Sequence, residues 1–408
     1  MRRLVVSVAL ALPLAALALP VKSGENFRVQ IPGEYIVKSF GEKMNLPVKR
    51  KLGKNLFLVK ASSQKSLNGF AAVYPNYAYY GEYKDVVSSD TPNDQSFNDQ
   101  FHHEMIQTTK AWETTKGDKE IIIAVTDNEF QLDHVDMQTT WYKNPNEIAD
   151  NGIDDDNNGY IDDVYGYDFM GEDNDVDATD VSTHGTHVAG TIAATANNKL
   201  GGAGIAPKLK VMPLRWYGNE RTWTSAIVAE TYRYAVDNGA KIITTSYNID
   251  YMVDDQAYLD SVAYIRANDV LLFNSAGNGY RANPPRQKIE EIILVCAVKS
   301  SDASNADEKA GFSNWGTGID ICAPGNPVYA PVQADSGVQN AYGNLSGTSM
   351  ATPQAAAVAG LIWSAHPNFS DEEVRDRLLN SADDIEAKNP RYQGMLGAGR
   401  INAFKAVK

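Results

Sequence analysis

Three polar side chains could carry out acyl-transfer chemistry, and each lies at the end or the start of a regular element. Asp127 directly follows a mainly apolar run at 120–126, which is typical of a buried strand. His184 opens an alanine-rich helical segment, and Ser349 precedes another within Ser-Gly-Thr-Ser-Met-Ala-Thr-Pro. Serine, histidine and aspartate can act together as nucleophile, general base and the group that orients the base. The sequence therefore predicts nucleophilic catalysis.

Asn278 could stabilise the negative charge that develops on an attacked carbonyl oxygen. It follows the apolar run 270–273 and could donate its side-chain amide to that oxygen. Backbone amides at the start of the helix after Ser349 would add donors of the same kind. A metal pair of His184 and His187 is the alternative, but no third ligand lies nearby in the sequence. We therefore expect His187 to be structural.

The elements that must position these residues alternate between strands and helices. Buried strands are predicted at 120–126, 211–214, 241–245, 270–273 and 292–298. One helix is predicted over 225–238, and another begins at Ser370, where Glu373 completes a capping box. This alternation predicts an α/β fold: a doubly wound, mostly parallel sheet with helices on both faces. Ligands of such sheets bind beyond the carboxyl ends of the strands.

Composition and the N-terminus restrict the class of protein. The chain has 408 residues, 43% of them hydrophobic, and a formal net charge of -14, which argues against a nucleic-acid partner. Arg2 and Arg3 precede an almost wholly apolar run at 4–20, which predicts a signal peptide over 1–20. A membrane anchor is the alternative, but the run is short for a span of about 20 residues. We expect secretion, extracellular or periplasmic, without membrane association after cleavage.

The remaining chain divides into two parts. Strand-like runs at 34–38 and 56–60 predict a small α+β domain over 21–89. The larger part, 90–408, holds the alternating elements. Cys296 and Cys322 both lie in apolar runs, so we expect two buried free thiols, with a disulfide after export as the alternative.

The segments around Asp127, His184, Asn278 and Ser349 resemble those of the subtilisin-like serine proteases, and the order Asp, His, Ser is that of the family. The resemblance covers roughly 91–405. It implies a serine endopeptidase acting on protein or peptide substrates, in which Ser349 attacks, His184 carries the proton and Asp127 fixes the imidazole. Asn278 and the Ser349 amide would hold the oxyanion. The family's substrate-binding strands correspond here to Ser246, Tyr247 and Asn248, and to Ser275, Ala276 and Gly277.

Three departures from the family pattern concern the cleft. Asn128 and Glu129 follow Asp127 where a small or polar residue and glycine are usual, and Glu129 adds a charge near the cleft. The usual Ser-x-Gly-Gly is here Ser-Tyr-Asn-Ile at 246–249, so Asn248 and Ile249 could narrow the P1 pocket. The segment 215–220 also differs from the usual glycine-rich pocket wall. We expect restricted specificity.

Two other function classes compete with a peptidase. One is a catalytically weak pseudoprotease that binds proteins through a remodelled cleft, and the other is a non-proteolytic serine hydrolase. A binding protein has no physical need for the triad and Asn278, and a cleft built for extended backbone disfavours the second class.

Calcium is the expected cofactor. Eleven aspartates lie in 150–180, and a loop there matches positions 1, 3, 5, 7 and 9 of an EF-hand-like loop. The matching residues are Asp154, Asp156, Asn158, Tyr160 and Asp162. Position 12 is Tyr165 rather than glutamate, and a solvated acidic loop is the alternative. Resemblance to the thermitase-type calcium site adds Asp94, Asp136 and Asn198 as ligands.

The segments 33–37 and 74–77 resemble the family's inhibitory propeptide. This resemblance implies that 21–89 acts as an intramolecular inhibitor and is cut between about 83 and 91. We expect the mature enzyme to be a monomer.

Overall fold

A computed structural model describes residues 21–23, 26–39, 48–53, 55–80, 86–87, 95, 97–177, 183–217, 223–300, 305–333 and 340–408. The predicted signal peptide at 1–20 and Asp94 lie outside the described residues, as does most of the predicted cleavage region.

The N-terminal segment forms an antiparallel sheet. Its strands are β1 (Val21–Ser23), β2 (Asn26–Lys38), β3 (Val48–Gly53), β4 (Leu56–Lys60) and β5 (Ala72–Tyr80). The two runs predicted as strands are confirmed within β2 and β4. Within the described residues of 21–89, the helical part of the expected α+β domain is one 3-10 helix, Gln64–Leu67. The order is β3-β4-β2-β5, with β1 beside β2.

The described residues of the rest of the chain form eleven further strands. They are β6 (Val86–Val87), β7 (Ile122–Asp127), β8 (Tyr167–Asp168), β9 (Lys210–Arg215), β10 (Trp223–Thr224), β11 (Ile242–Thr245), β12 (Leu271–Ser275), β13 (Ile292–Lys299), β14 (Ile321–Asn326), β15 (Val328–Val332) and β16 (Ala341–Ser346). Seven of them form the central sheet in the order β14-β13-β12-β11-β7-β9-β8, and every neighbouring pair is parallel. A small antiparallel sheet holds β15, β16 and β6.

Eight α-helices are described. They are α1 (Phe101–Met105), α2 (Thr108–Ala111), α3 (His184–Ala193), α4 (Ser225–Asp237), α5 (Gln256–Arg266), α6 (Thr348–Ala365), α7 (Asp371–Asn380) and α8 (Ala403–Ala406). The predicted capping box is confirmed, since Ser370 and Glu373 cap each other at the start of α7. No helix in the described part of the chain is long and apolar enough to cross a bilayer.

The central sheet is covered on both faces, as the alternation of elements predicts. Side chains of β7 alternate between two apolar clusters because successive strand residues point to opposite faces. Ile123 and Val125 pack in the cluster that contains α3 and α6, whereas Ala124 packs in the cluster that contains α4 and α5. The fold class predicted from the sequence is therefore confirmed.

The register of the sheet brings three strand ends to one edge. Thr126 of β7 lies opposite Thr245 of β11, which lies opposite Asn274 of β12. Asp127, Ser246 and Ser275, the next residues along each strand, consequently meet at the carboxyl edge.

The expectation of two free thiols is wrong. Cys296 of β13 lies directly opposite Cys322 of β14 with 4.4 Å between their Cα atoms, and the two form a disulfide. This separation falls within the range that a disulfide spans. The register of β13 against β14 brings together two cysteines that are 26 residues apart in sequence. Because this register is a tertiary feature, the spacing of the cysteines alone could not reveal the disulfide.

Candidate active site

Asp127 and His184 form a buried hydrogen-bonded pair. Asp127 is the last residue of β7 and His184 the first of α3, and their side chains are 1% and 4% exposed. Oδ1 of Asp127 lies 2.7 Å from Nδ1 of His184. A carboxylate at this nitrogen fixes the tautomer that carries the proton on Nδ1, which leaves Nε2 to accept a proton. The hydroxyl of Tyr217, which the sequence reasoning did not single out, lies 3.5 Å from Oδ1 of Asp127.

The two residues that follow Asp127 have structural partners. Oδ1 of Asn128 accepts hydrogen bonds from the backbone N–H of Glu129, at 2.8 Å, and of Gly185, at 3.1 Å, and so ties β7 to the first turn of α3. Glu129 is buried, and its carboxylate pairs with Arg215 at 3.1 Å. The charge expected in the cleft is therefore buried against Arg215, which also pairs with the carboxylate of Asp168.

Ser349 lies in the first turn of α6, which begins at Thr348, and not just before the helix as expected. Its Oγ donates a hydrogen bond to the carbonyl of Ser246 at 3.1 Å, and Oγ of Ser246 donates to the Ser349 carbonyl at 3.0 Å. Ser246 directly follows β11, the neighbour of the strand that carries Asp127. The serine and the Asp–His pair therefore occupy the same edge of the sheet.

Asn278 stands beside the start of α6. Its Oδ1 accepts from both the backbone N–H and Oγ1 of Thr348, each at 2.9 Å. A Cβ built on Gly347 would lie 3.4 Å from Nδ2 of Asn278 and 3.5 Å from the backbone N of Ser349. Two N–H donors therefore border one small space beside the serine.

The predicted substrate-binding residues form two neighbouring segments at the sheet edge. Ser246, Tyr247 and Asn248 follow β11, and Ala276 and Gly277 continue from Ser275 at the end of β12. Tyr247 is buried against Trp216, with 4.2 Å between ring centroids. Asn248 is partly buried and donates to the hydroxyl of Tyr251 at 2.7 Å.

Ile249 does not narrow the cleft as expected. It is fully buried in the apolar cluster that includes Met252 and Tyr258. Of the two residues that replace glycines in the family pattern, only Asn248 remains at the edge.

The acidic loop brings three carboxylates together. One oxygen each from Glu147, Asp154 and Asp156 lies within 4.8 Å of the others. Two of these residues match the predicted loop pattern, whereas Glu147 precedes it and was missed. The carboxylate oxygens are ligands that Ca²⁺ prefers, so this group could hold a metal ion.

The other residues of the predicted loop have different roles in the structure. Oδ1 of Asn158 accepts from the Tyr160 backbone at 2.8 Å, and the Tyr160 hydroxyl donates to Glu230 at 3.1 Å. The carboxylate of Asp162 accepts from the backbone N–H groups of Asn151 and Gly152, at 3.0 and 2.9 Å. Asp162 therefore caps a turn and is not one of the three grouped carboxylates.

Asp136 and Asn198, two of the calcium ligands expected from the resemblance, contact each other. Nδ2 of Asn198 lies 2.5 Å from Oδ1 of Asp136, and the Tyr342 hydroxyl donates to Oδ2 at 3.1 Å. Burial raises the pKa of Asp136 to about 6, although both hydrogen bonds oppose this shift.

Comparison with known proteins identifies the family. The model of the subtilase family, peptidase S8, matches residues 118–399. Thermitase of Thermoactinomyces vulgaris is 33% identical over 319 residues, covering 78% of this chain and 99% of thermitase. The thermophilic serine proteinase of Bacillus sp. strain AK1 is 30% identical over 358 residues, covering 88% of this chain and 77% of that protein. The halolysin-like extracellular serine protease Nep of Natrialba magadii is 32% identical over 319 residues, covering 78% of this chain and 53% of that protein.

A solved structure of a protease from Pseudoalteromonas arctica PAMC 21717 is similar with a TM-score of 0.58 and 26% identity, covering 78% of this chain and 99% of that one. The chain belongs to the subtilase family. It is a serine-type endopeptidase whose substrates are proteins or peptides, and the predicted family is confirmed.

Proposed function

We propose that Asp127, His184 and Ser349 are the catalytic triad of this endopeptidase. The buried 2.7 Å contact between Asp127 and His184, on the sheet edge that also carries Ser349, is the observation that supports this most strongly. Nε2 of His184 takes the Ser349 proton as Oγ attacks the peptide carbonyl. The same nitrogen then donates the proton to the leaving amine, and water later releases the acyl group by the reverse sequence.

Asn278 and the backbone N–H of Ser349 stabilise the oxyanion. Both donors border the space beside Gly347, where a carbonyl oxygen can sit between them. A substrate chain lies against Ser246, Tyr247 and Asn248 on one side and Ser275, Ala276 and Gly277 on the other. Their backbone groups at the sheet edge offer pairing positions to an extended peptide.

The N-terminal segment acts as an inhibitor that the enzyme cuts from itself. Strand β5 pairs with β10, and Oδ1 of Asn76 accepts from the Ala226 backbone at 3.3 Å, at the start of α4. Within the proposed cleavage region, Val86 lies opposite Ser346, on the strand that leads to Ser349. This pairing, three residues before the nucleophile along the chain, supports cleavage in this region.

Export through the signal peptide delivers the enzyme as a monomer to the extracellular or periplasmic space. The relative from Natrialba magadii is named as extracellular, which supports this location.

Calcium binds at the acidic loop and at the site around Asp136. The residues fit the ion at the first position because Glu147, Asp154 and Asp156 bring one hard oxygen each to within 4.8 Å of the others. At the second, Asp136 and Asn198 are already in contact, and Asp94 would join them. Bound calcium would stabilise the loops that flank the active-site helix α3.

A fluorophosphonate probe tests the proposed function. It should label the mature enzyme rapidly, and peptide mapping should place the label on Ser349. His184→Ala should abolish rapid labelling, whereas the matched variant His366→Ala should keep it. Absence of labelling in active, folded protein would refute the assignment.

A further inference from the structure

A buried arginine lies behind the two segments proposed to bind substrate. Arg286 is 2% exposed and belongs to the 3-10 helix Pro285–Lys288. Its Nε and its backbone N–H both donate to Oδ1 of Asp250, at 2.8 and 3.1 Å. Burial opposes ionisation of Asp250, but the guanidinium outweighs it and lowers the pKa of this carboxyl. The arginine charge is therefore balanced by a partner within the fold.

The guanidinium reaches across the gap between the two segments. Nη1 donates to the carbonyl of Ser275 at 2.6 Å and to that of Tyr247 at 3.3 Å. Nη2 donates to Oδ1 of Asn248 and would lie 3.4 Å from a Cβ built on Gly277. Arg286 thus contacts the strand extension on each side, and the Asn248 side chain joins it.

The position of a substrate's P1 side chain follows from the proposed function, on which this inference rests. With the scissile carbonyl between Asn278 and Ser349, the P1 residue lies against Ser246 and Gly277. Its side chain then points between the two segments. The guanidinium of Arg286 contacts both of these segments and the side chain of Asn248.

We propose that Arg286, supported by Asn248, sets the depth of the P1 pocket and restricts cleavage to bonds that follow small residues such as alanine, glycine and serine. Large side chains would need to displace a buried ion pair, which leaves Asp250 without its partner. Recognition of an acidic P1 side chain is not expected, because Asp250 already balances the arginine charge.

The test is a set of fluorogenic peptides that differ only at P1, with alanine, leucine, phenylalanine, lysine or glutamate there. The mature wild-type enzyme should cleave the alanine peptide with a kcat/KM at least about tenfold above each of the others. Equal or better cleavage of the leucine, phenylalanine or lysine peptide would overturn the proposal, and preference for glutamate would mean that the arginine binds substrate.

Variants locate the effect. Asn248→Gly should raise kcat/KM for the leucine and phenylalanine peptides relative to alanine by about tenfold. The double variant Arg286→Ala with Asp250→Ala should widen the pocket further, and Lys288→Ala, an exposed residue of the same 3-10 helix, should leave the profile unchanged. If the double variant does not fold, the P1 profiles of the wild-type enzyme and of Asn248→Gly still test the proposal.

The two proposals fail differently. Absence of peptide cleavage together with absence of fluorophosphonate labelling would refute the proposed function, and this inference with it. Cleavage with a large P1 preference would refute this inference alone.

Discussion

The side-chain oxygen of Asn278 accepts two hydrogen bonds from Thr348, one from its backbone N–H and one from Oγ1, both at 2.9 Å. Because a backbone N–H can only donate, the atom facing it must be the amide oxygen. The NH₂ group consequently faces the other way, toward the space beside Gly347 that the Ser349 amide also borders. Thr348 thus fixes the orientation in which Asn278 can donate to an oxyanion.

Removing that donor should slow catalysis without weakening substrate binding. We expect Asn278→Ala to lower kcat by about 10²–10³, the typical cost of removing one oxyanion donor, with little change in KM. Asn278→Asp keeps an acceptor for Thr348 but replaces the donor with a negative charge, so it should be at least as slow. Steady-state kinetics measure kcat and KM for both variants. A near wild-type kcat for Asn278→Asp would exclude an oxyanion role for Asn278.

Calcium removal should lower thermal stability. A ligand present at 100 times its Kd stabilises a fold by about 2.7 kcal/mol, so a chelator should visibly reduce Tm. Glu147→Gln should weaken calcium affinity at the acidic loop, because its carboxylate belongs to the three-carboxylate group.

Asp162→Asn is the matched control, since its carboxylate caps the turn at Asn151 and Gly152 instead. Calorimetric titration of calcium into Ser349→Ala protein, which cannot digest itself, measures both variants. An unchanged Tm in chelator would count against the calcium proposal. Equal losses of calcium affinity in both variants would count against a site formed by Glu147, Asp154 and Asp156.

The N-terminal sheet should be held to the domain by a buried ion pair. Nε of Arg50 lies 2.9 Å from Oε2 of Glu230 on α4, and burial raises the pKa of this carboxyl to about 7 although Arg50 opposes the shift. Truncation of one partner in such a pair costs about 2–5 kcal/mol. In the full chain carrying Ser349→Ala, Arg50→Ala should therefore speed hydrogen exchange in β2–β5 more than tenfold.

Lys65→Ala, at an exposed position of the same segment, should leave exchange unchanged. Equal exchange in the Arg50 variant and its parent would show that the pair does not hold the segment.

Acid should destabilise the domain through buried histidines. Burial lowers the pKa of His103 to about 4, against an opposing hydrogen bond to the Ala203 carbonyl, and burial lowers those of His102 and His187 as well. The unfolded chain binds a proton near pH 6.5, whereas folded His103 does so only near 4. The contribution of neutral His103 to the free energy of unfolding is therefore fully present above about pH 6.5. It is lost as the pH falls, and the loss reaches about 3 kcal/mol at pH 4.

Urea unfolding of Ser349→Ala protein at pH 8, 6 and 4.5 measures this dependence. His103→Gln, although less stable at pH 8, should show a shallower decline. The same slope in both proteins would contradict burial of a neutral His103.

Local patterns were enough to predict the sheet, its edge and the residues at that edge. Asp127 ends a strand and His184 begins a helix, and hydrophobic runs in the sequence indicate both boundaries. The capping box of Ser370 and Glu373 indicates the start of another helix. These features depend on neighbours in sequence, so the sequence exposes them.

Other features depend on contacts between distant segments, which no local pattern encodes. The disulfide follows from the register of β13 against β14, and Arg286 reaches its partners only because its 3-10 helix lies behind β11 and β12. The charge of Glu129 was expected near the cleft, but the carboxylate is buried and pairs with Arg215, a residue distant in sequence. Asp162 fits a calcium-loop spacing, but the local backbone turns its carboxylate toward Asn151 and Gly152.

The most direct test of the catalytic account compares the full chain with its Ser349→Ala variant, each incubated with calcium and followed by intact mass and casein hydrolysis. The account predicts that the wild-type chain loses its first ~70–90 residues, the length expected of a signal and propeptide, and then hydrolyses casein, while the variant does neither. Maturation or casein hydrolysis by the Ser349→Ala chain, or a folded wild-type chain that does neither, would contradict it.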